Sequence, residues 1–314
     1  MKDKHAQPGS RRTSAFLFAI LPALLFTLLV EILDVVLLSL LQVLQRSGSD
    51  AVFAFLKGHA QSLQALVSAI SCAVSCIVLL PSAKEEMGRF LAARRTPRME
   101  SAWETEEDGV PGGRRTISLL LPAVSLFLSL GLNLVLSLTG LAGLSFSAGE
   151  MTRNTLSDPA YPVLSLLVYG LLTPAAEEIA FRGLCFLRLR GVFAKKEEAK
   201  GTLFRNLLAS SGTVPASLLS AALFALYHGN LPQGIYAFLM GSLFALSVEI
   251  TGNVRTSILL HSASNIFLLL LSLTGLYNSL CTPVWCACFL LPGLAFLALL
   301  LGFLDRGNKR TGNH

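Results

Sequence analysis

The stretch Glu177-Glu178-Ile179-Ala180-Phe181-Arg182-Gly183-Leu184-Cys185 sets two adjacent carboxylates and an arginine inside a segment, 161–187, that is otherwise apolar. An ionisable side chain at the centre of a membrane helix costs roughly 2.5–3.5 kcal/mol on insertion scales, so such groups persist where they pair or act. On a helix, Glu178 and Arg182 stand four residues apart on one face, acid before base, the favoured order for an ion pair. Glu177 is turned about 100° from Glu178 and faces elsewhere. The spacing therefore predicts a division of labour. Glu178 is neutralised by Arg182, and Glu177 is left in a cavity, where a carboxylate suits work as a general base. The plainer alternative is a buried ion-pair network that only holds helices together.

The sequence around this stretch is that of a membrane protein. It is 53% hydrophobic and 14% charged, against about 25% charged in a soluble domain, and its mean hydropathy is +0.63. Eight apolar spans follow, at 15–44, 62–81, 117–143, 161–187, 214–230, 232–250, 255–275 and 283–304, most of them near the ~20 residues a bilayer requires. The expected class is an all-α, polytopic integral membrane protein. The first run is too long for a cleavable signal peptide and contains Glu31 and Asp34, expected as an interfacial pair, so it reads as a retained anchor. Of the 25 Lys and Arg, Arg46, Lys57 and Arg153 fall in the proposed outer loops and Arg182 within a span. All the others lie in the proposed inner segments, which predicts that both termini are cytoplasmic. The net charge of +6 is thus an orientation signal and implies no nucleic-acid partner. The six cysteines form no CxxC pair and read as small buried hydrophobes.

The polar stretch 82–116 divides the chain. Residues 1–116 are expected to form a two-helix membrane hairpin followed by a solvated cytoplasmic loop, and 117–314 a six-helix membrane region. The basic segment 188–213, with Leu203/Leu207 and Phe204/Leu208 at helical spacing, is expected to lie on the cytoplasmic leaflet. No internal repeat supports a transporter built from inverted halves.

Two further polar clusters lie within 160–275. Phe224 precedes His228 by one helical turn, and His261 precedes Asn265 by one turn, so each pair shares a face. Amide cleavage needs an activated water and donors aimed at the developing oxyanion. Glu177 with His228 would activate the water, and His261 with Asn265 would donate to the oxyanion.

These residues resemble the CAAX-protease and bacteriocin-processing family of intramembrane proteases, also called the Abi family. Its pattern of EExxxR, FxxxH and HxxxN is matched by Glu177-Glu178…Arg182, Phe224…His228 and His261…Asn265, in order and on separate helices. Phe181-Arg182-Gly183 and Thr251-Gly252-Asn253 match as well. The resemblance implies an all-helical endopeptidase embedded in the cell membrane, with its active site open to the cytoplasmic side. Glu177 would be the water-activating base, assisted by His228; His261 and Asn265 would form the oxyanion hole, supported by Glu178 and Arg182. The implied partner is a membrane-associated peptide or protein, prenylated in some members. Two histidines and a glutamate (Glu177, His228, His261) would be the candidates for Zn²⁺, but no compact HExxH chelate is present, and no cofactor is expected. The rivals are a catalytically silent binding or immunity scaffold of the same fold, which would tolerate Glu177→Gln, and a proton-coupled carrier, whose vesicle uptake would track Glu177.

Overall fold

In the computed structural model, which describes residues 8–94, 113–140, 158, 160–194 and 212–306, the chain is helical throughout and the described residues contain no strand. The helices are α1 (Pro8–Ser47), α2 (Asp50–Gly58), α3 (Ala60–Arg94), α4 (Gly113–Leu138), α5 (Tyr161–Phe193), α6 (Thr213–Tyr227), α7 (Leu231–Thr251), α8 (Val254–Leu273), α9 (Leu276–Leu280) and α10 (Pro283–Arg306). Seven are long and apolar enough to cross a membrane; α6 is the shorter apolar helix. At 1.5 Å per residue α6 covers about 22 Å, less than a hydrocarbon core of about 30 Å. It stops early because Gly229 turns the chain with φ 68° and Asn230 caps α7, its side chain accepting the Gln233 N–H at 3.0 Å.

Several boundaries differ from the sequence expectation. The polar stretch expected as a loop from residue 82 is helical as far as Arg94. Glu85 and Glu86 pair with Arg89 one turn later, and Glu86 also binds Arg188 at 3.3 Å, so the charges support the helix rather than end it. The loop between the first two spans holds the short helix α2, capped by Ser49. Asp34 accepts the Ser71 hydroxyl at 2.5 Å and ties α1 to α3. All six cysteines are free. The amphipathic helix expected around Leu203–Leu208 lies outside the described residues.

Two apolar cores organise the bundle. One joins the N-terminal hairpin to α5 and α6 through Ala19, Ala23 and Phe26 of α1, Leu79 and Ala83 of α3, Phe181 and Phe186 of α5, and Phe224 of α6. The other gathers α4, α7, α8 and α10 around Leu121, Val124, Phe244, Leu260 and Leu300. Helices α4 and α10 meet through two glycines. A Cβ at Gly131 would lie 2.9 Å from Leu290 Cα, and one at Gly293 would lie 2.8 Å from Leu128 Cδ2. Small residues at such contacts allow the close backbone approach that packs membrane helices.

Polar contacts fasten the ends of α5. At one end Arg190 grips Glu249 of α7 through Nε at 2.6 Å and Nη2 at 3.0 Å, a bidentate pair. At the other, Asp158 accepts the Ser62 backbone N–H at 2.8 Å, close to the start of α3, and faces His59 Nδ1 at 3.4 Å. Burial alone would raise the Asp158 carboxyl, but the bonds from Ser62, His59 and the Ala160 backbone hold it below its ordinary value. Gly293→Val is expected to destabilise the protein by about 1–3 kcal/mol through overpacking at the α4–α10 contact. Thermal unfolding in detergent checks this, with Leu299→Val, at an exposed position of α10, as the neutral control.

Candidate active site

Helix α5 carries the first motif, and its course is irregular on both sides of the two carboxylates. Residues Val168–Leu172 and Phe181–Phe186 are π-helical, a geometry that concentrates at functional sites. The first widening has a local cause. Pro174 has no N–H and its ring crowds the carbonyl four residues back, at Gly170, and the wider turn absorbs both. A Cβ at Gly170 would lie 2.8 Å from Ile266 Cγ1, so this turn sits tightly against α8.

Each widened turn is met by a side chain from a neighbouring helix. Asn265 of α8 donates from Nδ2 to the Tyr169 carbonyl at 3.0 Å. Ser220 of α6 donates from its hydroxyl to the Phe181 carbonyl at 2.8 Å. Both bonds satisfy backbone acceptors inside the bundle, where water is scarce.

Between the two π turns lie the carboxylates. Glu178 and Arg182 are both fully buried, and Arg182 Nη1 donates to Glu178 Oε1 at 2.9 Å. That pairing follows the i,i+4 spacing. The same Glu178 oxygen lies 3.0 Å from His261 Nδ1, so one carboxylate orients both a guanidinium and an imidazole. His261 Nε2 in turn faces Glu177 Oε2 at 3.8 Å, and Glu177 is 4% exposed. The structure therefore brings Glu177, Glu178, Arg182 and His261 into one cluster contributed by α5 and α8.

His228 and Asn265 border it. His228 closes α6, and its Nδ1 lies 2.8 Å from the Phe224 carbonyl. A carbonyl only accepts, so Nδ1–H donates and Nε2 is the nitrogen left for chemistry. The Phe224 ring meets His228 edge-on at 4.6 Å and His261 at 5.9 Å, so the two histidines flank one phenylalanine. Asn265 commits one Nδ2 hydrogen to Tyr169 and keeps the other.

The motif arithmetic missed the apolar walls of this cluster. The guanidinium of Arg182 lies 4.3 Å from the Phe224 ring centroid and 5.7 Å from that of Phe244, a cation–π enclosure. Phe244 lies on α7, which carries none of the three motifs, and its period in the sequence is that of any core residue. Arg182 Nε and Nη2 and Glu178 Oε2 are buried with no hydrogen-bond partner among the described residues. The N-terminal hairpin also reaches the site helix: Cys72 Sγ of α3 is 3.7 Å from Thr173 Oγ1, one turn before Glu177.

Among the described residues no three His, Cys, Asp or Glu side chains are grouped to hold a metal ion.

Comparison with known proteins agrees with the motifs. Residues 159–267 match the family described as type II CAAX prenyl endopeptidase Rce1-like, which is the family the three motifs resemble. The match spans α5 to α8 and so covers every residue of the cluster. It supports an intramembrane endopeptidase in general and a membrane-associated protein as its substrate. No curated protein and no solved structure matches the chain.

Ser220→Ala is expected to cost about 0.5–1.5 kcal/mol, because it removes a buried hydrogen bond to the Phe181 carbonyl beside Arg182. Thermal unfolding in detergent measures the loss, and Ser242→Ala, which removes a half-buried i−4 back-bond to Phe238, should cost less.

Proposed function

We propose that this protein is an intramembrane endopeptidase in which Glu177 activates water to cleave a peptide bond of a membrane-associated, CAAX-like substrate. The observation that carries the reading is the position of Glu177. It is a buried carboxylate beside an acid already paired with Arg182, and it faces His261 Nε2 at 3.8 Å. Glu178 and Arg182 compensate one another, so Glu177 is the carboxylate free to accept a proton.

In the proposed reaction, Glu177 takes a proton from water as the oxygen attacks the scissile carbonyl carbon. Electron density moves onto the carbonyl oxygen; in this step His261 carries a proton on Nε2 as well as the Nδ1 proton hydrogen-bonded to Glu178, and Nε2–H and the remaining Nδ2 hydrogen of Asn265 donate to the oxyanion. Collapse of the tetrahedral intermediate breaks the C–N bond, and the proton held by Glu177 passes to the leaving nitrogen. His228 Nε2, the nitrogen without a proton, assists Glu177 in activating the water. Glu178 acts through His261, holding Nδ1 so that Nε2 is presented. No step is routed through a metal.

Several features support an active site that opens to the cytoplasmic side of the cell membrane. The basic residues gather in the segments proposed as inner loops. Arg188 and Arg190 at the end of α5 pair with Glu86 and Glu249, and that end would face the cytoplasm. A lipidated C-terminal peptide lying in the inner leaflet would reach the cluster from within the bilayer.

The test is cleavage of prenylated and unprenylated membrane peptides by purified protein and by Glu177→Gln, read by mass spectrometry with and without chelator. Glu177→Gln is expected to lower turnover by about 10²–10⁴-fold, the contribution of a positioned base, with unchanged thermal stability and no chelator effect. Wild-type turnover by Glu177→Gln would overturn the assignment of the base. Absence of cleavage by both proteins across the peptide set would favour the silent scaffold.

A further inference from the structure

Helix α7 contains none of the polar motif residues, yet two of its residues touch the cluster directly. Gly241 and Phe244 are three positions apart and therefore share a face. Phe244 is 1% exposed, and its ring stacks on the His261 imidazole with centroids 4.9 Å apart and planes 24° from parallel. The other face of the cluster is closed by Phe224 of α6, which meets both histidines edge-on.

The orientation of His261 is what makes its contacts possible. Its two nitrogens face two different carboxylates, Nδ1 towards Glu178 at 3.0 Å and Nε2 towards Glu177 at 3.8 Å. Rotating the imidazole about its Cβ–Cγ bond would break both contacts at once. A flat ring packed face to face with it resists that rotation, because a turned imidazole would drive an edge into the face of Phe244. Dense packing gives the contact its stiffness.

Gly241 serves the guanidinium of the site, Arg182. A Cβ placed there would collide with Arg182 Nη2 and would lie 3.2 Å from Phe224 Cδ1 and 3.4 Å from Ala221 Cβ. The guanidinium occupies the space that any side chain at 241 would fill. Two positions of one helix thus control the two groups that share the Glu178 oxygen.

We infer that Gly241 and Phe244 of α7 are positioning residues of this site: Phe244 sets the plane of the His261 imidazole, and the bare backbone at Gly241 leaves Arg182 seated on Glu178. The kinetic part of this inference rests on the proposed peptidase reading. The geometric part does not. Neither residue carries charge or a polar side-chain atom, so each acts only through its neighbour.

The experiment uses the full chain in lipid nanodiscs with ¹⁵N-labelled histidine, the His261 resonances being identified by their loss in His261→Gln. The wild-type protein should show one fixed His261 state with a slowly exchanging Nδ1–H. Phe244→Leu keeps apolar volume but removes the flat face, and should average the His261 signals. Its kcat should fall about 10²-fold, the loss expected of a reacting group misplaced by about 1 Å, with KM nearly unchanged. Phe244→Tyr keeps the ring face and should restore the fixed spectrum. A wild-type His261 spectrum in Phe244→Leu would overturn the inference for Phe244. Gly241→Ala supplies a second, independent arm, should Phe244→Leu fail to fold. It should shift the His261 Nδ1 resonance as Arg182 is pushed from the shared oxygen; an unshifted resonance with normal turnover would overturn the inference for Gly241. Lack of cleavage by wild-type protein would count against the peptidase reading alone, since the spectra decide the positioning roles without it.

Discussion

A carboxylate and a guanidinium, Glu178 and Arg182, are held together at zero exposure in the middle of an apolar helix bundle. Burying two charges costs several kcal/mol each, and their attraction offsets this only with good geometry and further bonds. The surrounding structure supplies some of these, although Arg182 Nε and Nη2 and Glu178 Oε2 have no hydrogen-bond partner among the described residues. Glu178 Oε1 is shared with His261, two phenylalanine rings enclose the guanidinium, and α7 withdraws its side chain at Gly241 to make room. Removing the pair would leave His261 without an anchor for Nδ1, and Glu177 would no longer be the odd carboxylate out. The organisation of the site is therefore a consequence of one ion pair.

Much of this was legible because helical spacing converts sequence into faces. The i,i+4 relation of Glu178 and Arg182 appears as expected, and the seven long apolar helices lie where the apolar runs place them. The family match likewise follows the three motifs. Other features depend on contacts between helices and leave no local trace. Phe244 and Gly241 look like ordinary core positions until α7 is laid against α5 and α8. The π turns are foreshadowed only by Pro174, and the Ser220 and Asn265 bonds that satisfy them cross between helices. The helical course of residues 82–94 was hidden because polar residues read as loop, whereas Glu86 and Arg89 are engaged in ion pairs.

The N-terminal hairpin lies outside the segment that matches the family, yet it shares a core with the site helix. Phe26 of α1 packs edge-on against Phe181 at 5.8 Å and, tilted, against Tyr227 at 5.4 Å, the neighbours of Arg182 and His228. The Asp34–Ser71 bond fixes α1 on α3 one residue from Cys72, which touches Thr173. Motion of this hairpin would be felt at both α5 and α6, since packed interiors transmit displacement.

The most direct measurement of the central claim is a double-mutant cycle on the buried pair, combining Glu178→Gln and Arg182→Met and following both thermal stability in detergent and the His261 Nδ1 resonance. If one ion pair organises the site, the two substitutions should couple by about 1–3 kcal/mol, with the double variant more stable than the sum of the single losses. The His261 resonance should move in every variant that alters Glu178. Additive stability losses together with an unmoved His261 resonance would contradict the account.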